Sequence, residues 1–205
     1  YFTPSSGIAD DSFIGAWSNV DDTWHSLGKG MENTVASILP WSDDTLIAGG
    51  GFDDASGVAG TAGIASWSNV DDSWHPVGEG VTGGAAEALT RWQGTGLVAG
   101  GTFTSATGVS GTKSIASWSD DTWHSIGGGL RGPVFALAAD DTHGLLYAGG
   151  TFSAVNGGQV GSLSCVAAWD SGISTWLPLQ YGDDTTDNGL GSCRNLGGTP
   201  AVNAL

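Results

Sequence analysis

Histidine and aspartate recur close together in this chain, at places where their side chains could do chemistry. Three similar segments read Asp-Asp, then Ser or Thr, then Trp-His, and their histidines are His25, His75 and His124. Imidazole with a nearby carboxylate is used for metal binding and for acid–base catalysis. These three histidines are therefore the first candidates for contact with a ligand or a partner.

The spacing of the histidines argues against one shared metal or active site. Equivalent residues of a repeat lie a whole repeat apart in space, and Leu177 replaces histidine in a fourth segment. We expect each repeated histidine to bond to a turn carboxylate or to the neighbouring blade, and His143, beside Asp140 and Asp141, to be solvated. The chain has no Gly-x-Ser-x-Gly elbow, phosphate loop or zinc-type spacing, so we expect neither an enzyme nor a cofactor.

The paired aspartates raise the question of calcium. Eight Asp-Asp pairs occur, but none has the Asp-x-Asp-x-Asp-Gly spacing of a calcium loop. Neighbouring carboxylates on a strand point to opposite faces, and aspartate favours turns by bonding to its own backbone. The pattern favours turns, with weak calcium binding as the alternative.

Tryptophan pairs reveal the repeat that must position these residues. The first tryptophan of each pair recurs at spacings of 50, 51 and 51 residues, in step with an Ala-Gly-Gly-x-Phe phrase. A repeat of this length indicates a stacked or radial architecture. The pairs, which we expect to pack one repeat on the next, are Trp17 and Trp24, Trp67 and Trp74, Trp118 and Trp123, and Trp169 and Trp176.

Each copy contains four short apolar runs bounded by Gly, Asp, Asn and Ser, which predict four antiparallel strands. No run keeps a helical period, so no helix is predicted. The copies span about 2–51, 52–102, 103–151 and 152–205 of one repeat domain, 1–205, and the first and last are incomplete. We interpret the chain as a piece of a longer repeat protein.

Four strands in about fifty residues is the anatomy of a β-propeller blade. The double glycines at 49–50, 100–101 and 149–150, each followed by an aromatic residue and then by a tryptophan pair, resemble the kelch repeat. Here tryptophan stands where kelch repeats usually have tyrosine. The whole repeat phrase, from the double glycine through the tryptophan pair, is similar to repeats of bacterial secreted surface proteins and fungal cortical polarity-marker ectodomains. The resemblance implies an all-β, kelch-like propeller of about four blades, alone or within a larger ring or array.

Two further tryptophans, Trp41 and Trp92, lie outside the pairs, each just before a strand. We expect the paired tryptophans to form the core, so Trp41 and Trp92 are the better candidates for exposed rings that contact a ligand or partner.

The charge balance excludes some partners. The chain carries 21 acidic and 5 basic residues, a net charge of −16. Nucleic acids and anionic membranes are therefore disfavoured by electrostatics. No apolar run is long enough to span a bilayer, so no membrane insertion is expected.

The two cysteines, Cys165 and Cys193, both fall in the last copy. Cys193 lies in an insertion at 182–198 that the other copies lack, so we predict a disulfide that ties this loop to its blade. A disulfide would place the protein in an oxidising compartment, outside the cell or on its surface. Two free thiols are the alternative.

Two functions from different classes fit these features. The first is an extracellular structural or adhesive module that binds copies of itself or other surface proteins. The second is a glycan-binding propeller with sites between the blades, where aromatic rings and carboxylates meet a sugar and repetition gives avidity. The first is preferred.

Overall fold

A computed structural model describes residues 13–94, 96–153 and 165–179. The described chain is all-β, and it contains no helix with the length and hydropathy that crossing a bilayer requires. The strands are β1 (Gly15–Ser18), β2 (Thr23–Ser26), β3 (Val35–Ser42), β4 (Thr45–Gly50), β5 (Ile64–Ser68), β6 (Ser73–Pro76), β7 (Val81–Thr82), β8 (Ala86–Trp92), β9 (Gly96–Gly101), β10 (Ser105–Ala106), β11 (Ile115–Ser119), β12 (Thr122–Ser125), β13 (Val134–Asp140), β14 (Leu145–Gly150), β15 (Val166–Asp170) and β16 (Thr175–Pro178).

These strands form three four-stranded antiparallel sheets. Sheet I has the order β3-β4-β5-β6, sheet II β8-β9-β11-β12 and sheet III β13-β14-β15-β16. Strands β1 and β2 pair as a separate hairpin ahead of sheet I, and the short strands β7 and β10 pair with each other. The all-β prediction is therefore confirmed, with four strands in each sheet.

The sheets are offset from the sequence copies. Each sheet joins the last two strands of one copy to the first two strands of the next, as β4 pairs with β5 through Gly49 and Ile64. The loop between them is closed by backbone hydrogen bonds from Gly63 N to the Phe52 carbonyl, 2.9 Å, and from Gly50 N to the Gly63 carbonyl, 3.0 Å. This closure returns the chain antiparallel beside the double-glycine strand, so the sheets begin at Val35, Ala86 and Val134 rather than at the copy boundaries.

Consecutive sheets pack face against face, and their first strands β3, β8 and β13 are neighbours. The buried side chains fall into three clusters, one at each junction. At the junction of sheets I and II, for example, Ile47 and Ile64 meet Leu97 and Trp123. The apolar core is therefore divided among the junctions.

One hydrogen bond recurs at all three junctions. In each sheet, the indole Nε1 of the second tryptophan donates to a backbone carbonyl of the preceding unit. The residue with this carbonyl lies three positions after the second tryptophan of that preceding unit. These bonds are Trp74 to Leu27, 3.0 Å, Trp123 to Val77, 3.3 Å, and Trp176 to Ile126, 3.4 Å. Each buried indole N–H is thus satisfied by the neighbouring unit, as burial requires.

A glycine follows each of these carbonyls and lies under the next tryptophan pair. Gly78 has a φ of +62°, and a Cβ placed on it would lie 2.7 Å from Cζ3 of Trp118 and 2.9 Å from Nε1 of Trp123. Only glycine meets both demands, because other residues are strained at this φ and carry the Cβ that has no room.

We expect Gly78→Ala to destabilise the protein by about 2–4 kcal/mol, because it adds a steric clash at the junction to the cost of the left-handed backbone. Gly108→Ala is the matched control, since Gly108 has a φ of +78° and open space around it. Its cost should stay near 1 kcal/mol. Urea unfolding of both variants tests this, and equal losses would show that the tryptophan contact does not require glycine.

Candidate functional site

Two of the three repeated histidines pair with an aspartate of their own turn. Nε2 of His25 lies 3.0 Å from Asp21, and Nε2 of His75 lies 3.0 Å from Asp71. The same nitrogen of His75 lies 3.1 Å from the Ser73 hydroxyl. The sequence offered a turn carboxylate or the neighbouring blade as the histidine partner, and for both residues the partner is the turn carboxylate.

The arrangement is not a proton relay. A relay needs one imidazole nitrogen on the hydroxyl and the other on the carboxylate. Here Nε2 of His75 contacts both Ser73 and Asp71, so the set fixes the hairpin turn instead.

Hydrogen bonding lowers the pKa of both carboxyl groups. The Thr23 hydroxyl, followed by His25, lowers the pKa of Asp21 to about 2. His75 is the main cause that lowers the pKa of Asp71 below its usual value.

The third histidine differs because its turn is shorter. Trp118 and Trp123 are five positions apart, whereas the tryptophans of the other pairs are seven apart. In the short turn, Nε2 of His124 lies 3.3 Å from the Ser119 carbonyl oxygen. Within the described ranges, the side chains of Asp120 and Asp121 have no hydrogen bond or ion pair.

His143 is exposed, as expected, but it is also paired. Its Nδ1 lies 2.6 Å from a carboxylate oxygen of Asp140, and this contact lowers the pKa of Asp140. No group of three or more His, Cys, Asp or Glu side chains suited to a metal lies in the part of the chain that the structure describes. Weak calcium binding stays a prediction.

A groove of about 340 Å³ opens between sheets I and II. We call it the Trp118 groove. Its residues are Trp41, Thr45, Ile47, Ser66, Pro76 and Val77 from sheet I and the turn after it, and Trp118, Ser119, Asp120 and Asp121 from sheet II. The groove therefore brings together Trp41, which the sequence singled out, and an Asp-Asp pair that the sequence assigned only to a turn.

An equivalent groove of about 530 Å³ lies between the first hairpin and sheet I. We call it the Trp67 groove. His25, Trp67, Asn69 and Asp72 line it. Its indole is already paired, because Nε1 of Trp67 donates to the Asn69 side-chain oxygen at 2.8 Å.

Trp41 is half-buried and held by an arginine of the next sheet. The Arg91 guanidinium lies 4.3 Å from the centroid of the Trp41 ring and donates a hydrogen bond to the Trp41 carbonyl oxygen. A cation over an indole face is an attractive contact that fixes the ring. Sequence reasoning missed Arg91, since a single arginine on a strand carries no signal of this contact.

Trp92 contradicts the expectation of an exposed ring. It is only 7% exposed and belongs to the core cluster between sheets II and III. Its Nε1 has no hydrogen-bond partner among the described residues. The sequence prediction was wrong here because Trp92, the last residue of β8, turns into the junction rather than away from it.

The tryptophan pairs divide according to what covers them. Trp67 is 4% exposed, and Trp118 and Trp169 are half-buried against the core clusters. Trp17, the first of the series, is 52% exposed. The two rings of every pair meet at a steep angle, with centroids 5.3 to 5.6 Å apart.

The predicted disulfide falls partly outside the described residues. Cys165 is buried directly before β15, the third strand of sheet III, and has a φ of +63°. Cys193 and the insertion at 182–198 lie outside the described residues, so the pairing stays a prediction.

No protein-family model matches this chain, and no curated protein matches it. The kelch resemblance therefore depends on the repeat's own residues.

We expect His75→Leu, which copies Leu177 of the fourth segment, to raise the pKa of Asp71 toward its ordinary 3.8. Carboxyl carbon shifts followed by NMR through acid pH measure this, and Asp140, which pairs with His143, is the internal control. Asp71 stabilises the fold above the unfolded-state pKa, and this contribution is lost as the pH falls through the lower folded-state value. In the variant the folded-state and unfolded-state pKa values lie closer together, so this contribution should be smaller. An unchanged Asp71 pKa would show that His75 is not the main cause of the lowering.

Proposed function

We propose that this chain is a kelch-like β-propeller module of about four blades, within a larger ring or array, that acts as an extracellular structural or adhesive component. It assembles through protein contacts with copies of itself. The proposal depends on one observation. An apolar surface is exposed here, whereas the other junctions bury the equivalent surface.

This surface, which we call the leading face, is the side of sheet I that carries Ile38. Ile38 is 54% exposed. Its counterparts Leu89 and Leu137, which pair with the same alanine of the double-glycine strand, are half-buried. Leu89 packs against Gly49 of the preceding sheet, and Leu137 packs against Gly100.

Exposed apolar area of this kind marks interaction surfaces. The same contact already joins sheet to sheet, so a junction between chains would use chemistry that the chain employs at each internal junction. Repeat architectures extend in this way, because each unit contacts only its neighbours.

Two features support a location outside the cell. A net charge of −16 favours solubility and opposes nonspecific association. The predicted disulfide between Cys165 and Cys193 requires an oxidising compartment.

The native mass of the purified chain tests the proposal. At about 100 µM, where a contact of micromolar strength is saturated, we expect assemblies well above the 20.6 kDa of one chain. Ile38→Ser should shift them toward the single chain, because it removes apolar area from the leading face.

Val70→Ser is the matched control. Val70 is 80% exposed at a hairpin tip and belongs to none of the three core clusters, so its loss should leave the native mass unchanged. A wild-type protein that stays at the mass of one chain would refute self-assembly, and equal effects of both variants would refute the leading face as the contact.

A further inference from the structure

Among the described residues, the Trp118 groove has more unpaired polar groups than the Trp67 groove, where Asp72 also lines the wall without a side-chain hydrogen bond. In the Trp67 groove, the indole N–H is bonded to Asn69 and His25 is bonded to its turn aspartate. In the Trp118 groove, Nε1 of Trp118 has no hydrogen bond within the described part of the chain, and neither have the carboxylates of Asp120 and Asp121. One donor and two charged acceptors thus belong to residues that line one opening.

The cause is the length of the turn. Losing two residues removes the counterpart of Asn69, which would otherwise pair with the indole, and leaves His124 on a backbone carbonyl instead of a carboxylate. Asp120 and Asp121 have φ values of +50° and +55°, the conformation of a tight hairpin turn. The turn therefore holds both residues at the mouth of the groove without using their side chains.

The rest of the groove combines apolar side chains with the hydroxyl groups of Thr45, Ser66 and Ser119. Trp41, Ile47 and Val77 line it, and Arg91 fixes the Trp41 ring. A volume of about 340 Å³ is at the small end of the range for ligand pockets, about 300–1,000 Å³. That size suits one or two sugar rings better than a long chain.

We infer that the Trp118 groove binds a neutral pyranose. A pyranose presents an apolar C–H face, which packs on indole rings, and hydroxyl groups, which donate to carboxylates and accept from an indole N–H. Donors to a carboxylate form the stronger class of hydrogen bond. Acidic sugars are rejected, because their carboxylate would approach Asp120 and Asp121 in a chain of net charge −16.

NMR titration of the full chain tests the inference. The probes are the methyl pyranosides of glucose, mannose and galactose, with methyl glucuronide as the acidic counterpart, each added to about 50 mM. At least one neutral glycoside should shift the indole N–H signal of Trp118 and not that of Trp67, with a Kd on the order of 1–10 mM. The glucuronide should bind at least about tenfold more weakly.

The double variant Asp120→Asn, Asp121→Asn removes the charges and keeps the turn, because asparagine tolerates the same φ. We expect it to weaken binding of the neutral glycoside about tenfold. Asp72→Asn is the matched control, since Asp72 has a φ of +51° at the equivalent turn position in the Trp67 groove. It should leave the affinity within about twofold.

Three results would overturn the inference. The first is that no neutral glycoside shifts the Trp118 signal. The second is that the glucuronide binds as tightly as the neutral sugars. The third is that the double variant keeps wild-type affinity, or that Asp72→Asn weakens binding equally.

Discussion

The contact between a tryptophan pair and the glycine turn before it determines how this chain is arranged. A fully buried tryptophan contributes up to about 4–6 kcal/mol by area, and that area is available only if the neighbouring backbone comes very close. Gly78 permits the approach, since any Cβ there would lie within 3 Å of two indole rings. The indole N–H of Trp123 then donates to the Val77 carbonyl, which would otherwise be buried without this partner. Because each unit supplies a turn on one side and a tryptophan pair on the other, the same contact serves every junction.

The same contact explains where polar chemistry can occur. The tryptophan pair fills part of the junction, and a groove lies beside it. In both grooves, the wall therefore includes an indole ring. What differs between grooves is the turn that follows the first tryptophan. The long turn at Asn69 pairs the Trp67 indole and Asp71, whereas at the short turn the Trp118 indole, Asp120 and Asp121 have no side-chain hydrogen bond in the described part of the chain. A change of two residues in a surface hairpin thus alters the binding chemistry of a groove and leaves the junction itself unchanged.

Several acidic side chains interact with neighbours in their own turns. Asp21, Asp71 and Asp140 each lie beside a histidine of the same turn, and the pKa of each carboxyl group is lowered by hydrogen bonding. Other carboxylates are close to each other instead, as where Asp54 raises the pKa of Glu32. Because these groups are exposed, water screens their mutual repulsion, and no acidic side chain in the described ranges is buried.

The sequence by itself determined the repeat, the four strands per copy and the absence of predicted helices, and it offered a turn carboxylate as one of two partners for the repeated histidines. These follow from local rules: residue type, alternation and turn preference act over a few neighbouring positions. Only the tertiary structure decided that each sheet combines strands from two copies, that Trp92 is buried and Trp41 is held by Arg91, and that Asp120 and Asp121 reach a groove. Each of these depends on which surfaces of distant segments meet, and that choice is made by packing between sheets, which no short stretch of sequence contains.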